Sequence, residues 1–237
     1  MGKVKKYYQV TRSSDPSITG LIAHYAMPQV EILPPPNTYS YISESAGNYI
    51  NDLINKTGID EISVYMDSFT IIELPKVSIL NAVKTNERVK EVDFMLPKNH
   101  IKDFNYIFSE ELMDVIEKYR LPEYNKIKVQ IEGFRTEYYL IGFPMISPER
   151  LDFKKSVFVD CSRKNRKKVF KTYGEYENYD SYLEGLLVYK KIVLSDKVES
   201  DVLELPGAIY FSEDLANEIE NANFRAIEIH KENTLEC

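Results

Sequence analysis

The chain has 237 residues, of which 43% are hydrophobic and 28% charged, enough for one large domain or two small ones and too apolar for a disordered chain. Thirty Lys and Arg against 37 Asp and Glu leave a net charge of −7, which counts against a general nucleic-acid binder and accommodates a basic partner more easily. Two distant cysteines, Cys161 and Cys237, exclude a disulfide framework, and no apolar run is long enough to cross a bilayer, so a soluble, cytoplasmic protein is expected.

The N-terminus runs from Lys3, Lys5 and Lys6 into Tyr7, Tyr8 and Gln9, without the apolar segment of a secretion signal. Short apolar or aromatic runs at 4 to 10 and 21 to 27 predict strands, joined by a loop rich in Ser, Asp, Pro and Gly at 13 to 20. Pro34, Pro35 and Pro36 form a stiff spacer. Beyond it Ala46, Tyr49, Ile50, Leu53 and Ile54 share one helical face, with Gly58 placed to end the helix. Strand signals follow at Ile62 to Tyr65 and at Ser68 to Leu74. Residues 84 to 105 are charged and weakly periodic, with Pro97 in the middle, and predict a boundary between an N-terminal lobe, 1 to 97, and a C-terminal lobe, 98 to 237.

The pattern Phe-Ser-Glu-acid-Leu then occurs twice, at Phe108 to Leu112 and at Phe211 to Leu215. Ser109 and Ser212 read as helix N-caps, because a hydroxyl there accepts from orphan first-turn amides while the following acids meet the positive end of the helix dipole. Leu112, Val115, Ile116 and Tyr119 recur at helical spacing after the first cap, and Leu215, Ile219 and Ala222 after the second. Each helix leads into alternating residues, Ile127, Val129 and Ile131 or Ile227 and Ile229, so a helix-then-strand unit is used twice. Glu137 to Ile146, Leu186 to Leu194 and Val202 to Leu205 read as further strands. Strands and helices do not alternate regularly, which predicts an α+β fold of mixed and antiparallel sheets with a few flanking helices.

Residues that carry chemistry are sparse. His24, His100 and His230 are scattered with no second ligand at metal spacing, and no glycine-rich phosphate loop is present, so neither a metal nor a cofactor is expected. Cys161 lies beside Asp160 without a partner His, and the acid pairs Glu110–Glu111 and Glu213–Asp214 are accounted for by their first-turn positions. The unusual segment is 163 to 182. There the basic run Arg163, Lys164, Arg166, Lys167, Lys168 and Lys171 precedes Tyr173, Tyr176, Tyr179 and Tyr182 interleaved with Glu175, Glu177 and Asp180. It reads as a solvated hairpin or loop, as a phosphate strip with stacking tyrosines, or as an acidic aromatic surface for a basic protein. Between the two functional readings the protein contact is preferred, because adjacent acids neutralise the basic strip.

The succession of Phe108-Ser-Glu-Glu-Leu, a helix to Tyr119, a strand over Ile127 to Ile131, Tyr138-Tyr139-Leu140-Ile141 and Leu151-Asp152-Phe153-Lys154-Lys155-Ser156 resembles a bacterial immunity-protein family, long filed as a domain of unknown function and encoded beside polymorphic or contact-dependent toxins. Asp152 and Ser156 match its Asp-x-x-x-Ser segment, and Ser212, Leu215 and Ile219 its closing helix. The resemblance covers about residues 106 to 158 and 205 to 230 and leaves the N-terminal lobe aside. It implies a non-enzymatic inhibitor that binds a cognate toxin directly. Its motifs describe a scaffold, and the contact residues expected on it, Tyr173, Glu175, Tyr176, Glu177, Tyr179, Asp180 and Tyr182, come from the reading of this chain. Two alternatives stay open: a small-molecule hydrolase using Cys161 or a carboxylate pair, and a nucleic-acid-binding module using Arg163 to Lys171.

Overall fold

A computed structural model describes residues 4–21, 28–32, 64–72, 79–98, 104–183 and 187–237, without the side chains of 163 and 180–183. The expected strand over 21 to 27 apart from Leu21, the proline spacer, the helix over 46 to 54 and the first half of the strand at 62 to 65 lie outside the described residues. The fold is α+β, with two mixed sheets and helices against them. The chain divides into two compact units, neither continuous in sequence: 12–144 with 219–228, and 1–11 with 145–218 and 229–237. This corrects the boundary read at 97/98. The stretch around Pro97 is weakly periodic yet structural, since Val89, Val92, Phe94, Met95 and Phe104 are buried and the strand at 94–95 pairs with residues 107–108 beyond the supposed linker.

The first unit carries a six-stranded sheet built from β2 (Val30–Ile32), β3 (Ile79–Lys84), β4 (Phe94–Met95), β5 (Tyr106–Ser109), β6 (Asn125–Ile131) and β7 (Tyr138–Gly142). Read from one edge the order is β4-β5-β7-β6-β3-β2. Alternation sets its faces, and Ile127, Val129 and Ile131 of β6 enter a core with Leu80, Ile107, Tyr138 and Leu140. Helix α2 (Glu110–Ile116) starts directly from β5: the Ser109 hydroxyl accepts the Leu112 amide at 3.3 Å, and Leu112, Met113 and Ile116 are wholly buried. Ahead of this sheet, the loop expected at 13 to 20 contains a one-turn helix, α1 (Pro16–Thr19), capped by Asp15 and ended by Gly20 at φ +76°. A side chain at Gly20 would meet the Arg88 carbonyl oxygen at 1.7 Å, so only glycine fits.

The second unit carries a seven-stranded sheet of β1 (Lys6–Arg12), β8 (Val157–Asp160), β9 (Arg166–Lys168), β10 (Leu187–Val193), β11 (Val202–Leu205), β12 (Ala208–Ser212) and β13 (Ile227–Glu236). Its order is β11-β12-β1-β13-β10-β8-β9. Strand β12 feeds helix α4 (Glu213–Ala222), and the Ser212 hydroxyl accepts the Leu215 amide at 3.4 Å. Both expected caps are therefore present, and each is preceded by a strand as well as followed by one.

Six of the seven strands repeat the first sheet. Strands β11, β12, β1, β13, β10 and β8 correspond to β4, β5, β7, β6, β3 and β2 in order. Directions agree too: β3 with β6 and β10 with β13 are parallel, while β4–β5, β5–β7, β11–β12, β1–β12, β2–β3 and β8–β10 are antiparallel. Lys5 and Cys237 exchange both backbone hydrogen bonds at 3.1 Å, the narrow pair of an antiparallel ladder, so β1 runs against β13 as β7 runs against β6. One connection differs. Strand β7 follows β6 along the chain, whereas its counterpart β1 arrives from the opposite terminus, a circular permutation of the same unit.

The match extends to single residues. Tyr138 and Tyr139 stand opposite Ser109 and Phe108, and Tyr7 and Tyr8 stand opposite Ser212 and Phe211. The second tyrosine of each pair donates to the first acid after the cap: Tyr139 to Glu110 at 3.4 Å and Tyr8 to Glu213 at 2.7 Å. A lysine lies over each of these rings, Lys126 at 4.1 Å and Lys6 at 4.8 Å. The cap amide closes onto an aspartate carbonyl at the start of the neighbouring strand, Ser109 onto Asp93 at 2.9 Å and Ser212 onto Asp201 at 2.8 Å.

Candidate functional site

The 163 to 182 segment is neither a loop nor a long hairpin. Lys164 and Asn165 both adopt the left-handed conformation, at φ 53° and 57°, and make the tight reversal that lays β9 along β8. Helix α3 (Tyr173–Leu183) follows. Its start is a variant of the capping box, Thr172-Tyr173-Gly174-Glu175: the Thr172 hydroxyl accepts the Glu175 amide at 3.3 Å, and the Glu175 carboxylate reaches one residue past the cap to accept the Lys171 amide at 2.8 Å.

Tyrosines spaced by three residues fix how the helix lies. Tyr176 is buried, with ring centroids 5.4 Å from Phe153, 5.1 Å from Phe158 and 5.7 Å from Phe170, and its hydroxyl is 3.3 Å from that of Tyr189. The sequence placed Tyr176 on the contact surface; burial gives it the role of anchor instead. Tyr179 is half-buried, donates to the Asp160 carboxylate at 2.6 Å and lies under Lys168 at 4.4 Å. Asp160 is fully buried and also accepts the Ser162 amide at 3.0 Å, so one carboxylate ties β8, the short turn at Cys161–Arg163 and α3 together.

Glu175 and Glu177 are exposed, and Tyr173, half-buried, donates to Glu177 at 3.0 Å. The structure thus brings Tyr173, Glu175 and Glu177 to the outer side of the first turns of α3 and uses Tyr176 and Tyr179 to hold it. Asp180 and Tyr182 lie in the helix, but their side chains are outside the described residues. On the neighbouring edge strand Arg166 and Lys167 are exposed, while Lys168 is occupied by the Tyr179 ring. Phe153, Phe158 and Phe170, which the sequence reading did not single out, do the positioning. The capping-box spelling at Thr172 was the local signal for the helix.

Most of the other described residues weighed for chemistry have structural partners. Cys161 is exposed on the turn after β8. His230 hydrogen-bonds Thr11 at 2.7 Å and lies 3.4 Å from Glu232; His24 and His100 are outside the described residues. Glu110 and Glu213 serve the tyrosine latches described above. Asp152 and Ser156 brace β8 against β10: the Asp152 amide donates to the Val193 carbonyl at 2.8 Å, and the Ser156 hydroxyl accepts the Val193 amide at 3.0 Å. Among the described residues no group of three or more His, Cys, Asp or Glu gathers at metal-binding distance, and no helix is long and apolar enough to cross a membrane. No protein-family model matches the sequence, and a search of curated proteins gives no significant match.

Proposed function

We propose that this chain is an immunity protein that neutralises a cognate bacterial toxin, acting in the cytoplasm by direct contact and without catalysis. The observation that carries the reading is the mounting of α3. Its buried side is locked by Tyr176 into a cluster of four aromatic rings, Phe153, Phe158, Phe170 and Tyr189, while Glu175 and Glu177 face solvent beside Tyr173. A rigid helix with exposed acids and an aromatic edge suits a basic protein surface: the ring offers contact area at low entropic cost and the acids steer encounter. The resemblance to toxin-linked immunity proteins points to the same class of partner. The adjacent basic strand is partly occupied by its own neighbour, Lys168 over Tyr179, which favours a protein over a nucleic acid.

The test is binding to the product of the neighbouring toxin gene. The double variant Glu175→Gln, Glu177→Gln keeps the capping hydrogen bonds and removes two charges, and Tyr173→Ala removes the ring. Combined, they are expected to weaken the complex by about tenfold or more, mostly through slower association for the charge changes. Unchanged affinity with the helix intact by circular dichroism removes this surface from the proposal.

A further inference from the structure

The two sheets end differently. In the six-stranded unit the chain leaving β4 runs on beside β2 and covers its outer side: the Lys98 amide donates to the Val30 carbonyl at 2.6 Å, the Gln29 amide donates to the Leu96 carbonyl at 3.1 Å, and Val30 and Pro97 form a parallel bridge. The counterpart of β4 in the other unit, β11, does not do this. Only Pro206 and Gly207 separate it from β12, so the chain turns straight back. The side of β8 that matches the covered side of β2 is taken by β9 instead, an extra strand with no equivalent in the sister sheet.

That leaves β9 as a sheet edge. The opposite margin is met by the chain itself, since the Ile146 amide donates to the Glu204 carbonyl of β11 at 2.7 Å and Met145 bridges the same residue. Among the described residues β9 has a strand on one side only. Such an edge offers a row of backbone N–H and C=O groups to another extended segment. Its side chains say which segment fits. Lys167 lies opposite Val159, and Val159 opposite Val188, so these three share the face turned away from α3. Arg166 and Lys168 lie on the α3 side, where Lys168 is held over the Tyr179 ring. Arg166 and Lys167 are adjacent and exposed, and Val169, the residue after β9, is 56% exposed. A second copy of this chain does not suit the edge: two β9 strands paired about a two-fold axis would set basic residues opposite basic residues.

We infer that β9 takes an extended, acidic segment of a protein partner as a further strand of the sheet. Backbone hydrogen bonds along β9 hold the segment, and adjacent acids opposite Arg166 and Lys167 select it. An apolar side chain two residues past the acid opposite Lys167 meets Val169. This edge asks for charge of the opposite sign to the outer side of α3, and its use does not depend on the toxin-binding reading.

The probe is the blocked octapeptide Thr-Val-Thr-Glu-Glu-Thr-Val-Thr, which reads the same in both directions and so presents its acids to β9 whether it runs parallel or antiparallel. Titrated into the isotopically labelled full chain, it is expected to shift the β9 amides at concentrations up to about 2 mM and to slow their exchange with solvent. The same peptide with Lys in place of both Glu is expected to bind about tenfold more weakly, because two cross-strand attractions become repulsions. Two further versions of the Glu peptide are N-methylated at one or the other set of alternate residues, and one of them is expected to lose binding, since only one set turns its N–H groups to β9. The double variant Arg166→Glu, Lys167→Glu is expected to reverse the preference from the Glu to the Lys peptide; should it not fold, the peptide comparisons on the wild type decide alone. Unshifted β9 amides, equal binding by the Glu and Lys peptides, full binding by both N-methylated versions, tighter binding of a uridine octanucleotide, or a wild-type dimer that protects the same amides overturns the inference.

Discussion

The six-stranded and seven-stranded units start from the same device and diverge in what they cover with it. In both, a strand ends at a serine that caps a helix, and a Tyr-Tyr dipeptide on the next strand sets its second ring against the first acid of that helix, Tyr139 with Glu110 and Tyr8 with Glu213. The first ring of each pair, Tyr138 or Tyr7, is wholly buried under the strand end. Elements that set register and helix entry are kept, while the adjoining row changes from Ile107, Leu140 and Ile127 to Tyr210, Gln9 and Asn233. Register and helix entry are thus set by residues other than those of the adjoining row, which is why one copy can hold polar groups there without losing its sheet.

Exchanging the divergent row gives the largest expected effect. Leu140→Gln puts an amide into a closed apolar core, losing the transfer free energy of leucine and leaving polar atoms unsatisfied; a loss of about 4 kcal/mol is expected. The reverse change, Gln9→Leu, falls on a half-buried residue beside a cavity and is expected to alter stability by less than about 1 kcal/mol. Urea denaturation of the two single variants measures both. Equal losses would mean that the two rows are equivalent and would remove the contrast.

The caps form the next comparison. Ser212→Ala removes one first-turn hydrogen bond, worth about 1 kcal/mol. Ser109 has a second duty, since its hydroxyl also donates to the buried Asp93 carboxylate at 2.9 Å, a group that further accepts the Arg225 amide at 2.6 Å. Ser109→Ala is therefore expected to cost about 2 to 3 kcal/mol, and the difference between the two alanine variants, read from urea midpoints, isolates the Asp93 contact.

Local grammar explains what the letters made legible. Both serine caps are spelled within five residues, and β7 and β11 are short apolar runs whose burial needs no distant partner to recognise. The duplication behind them was legible only as helix then strand. Its remaining signal is the Tyr-Tyr dipeptide, and permutation puts Tyr7-Tyr8 at one end of the chain and Tyr138-Tyr139 in its middle, so no fixed period joins them. The boundary at 97/98 went astray for a related reason: β4 is two residues long, too short for any periodicity, and its burial comes from pairing with β5. At the candidate surface the alternation of acids and tyrosines marked the segment that forms α3, while which tyrosine faces inward depended on Phe153, Phe158 and Phe170 arriving from elsewhere in the chain.

Acid titration gives the smallest expected effect and separates the units by ion pairs that are not shared. In the six-stranded unit burial works against ionised Glu117, but hydrogen bonds from Lys126 and Tyr124 outweigh it and hold the carboxyl below its ordinary 4.5. In the seven-stranded unit Arg150 holds Asp196 below its ordinary 3.8. A carboxylate with a depressed folded pKa contributes stability that is complete above its unfolded value and lost as pH falls through the folded value. The Glu117 contribution therefore begins to fade just below pH 4.5, and that of Asp196 only below pH 3.8. Both side chains are about one-third to one-half exposed, so screening keeps each contribution under about 1 kcal/mol. Urea midpoints measured from pH 6 down to pH 3 are expected to lose the upper part of their acid slope in Glu117→Gln and the lower part in Asp196→Asn. An unchanged slope in Glu117→Gln would assign the early acid response to other carboxylates, with Glu91, held down by the Arg135 and Thr136 amides against its own burial, the next to replace.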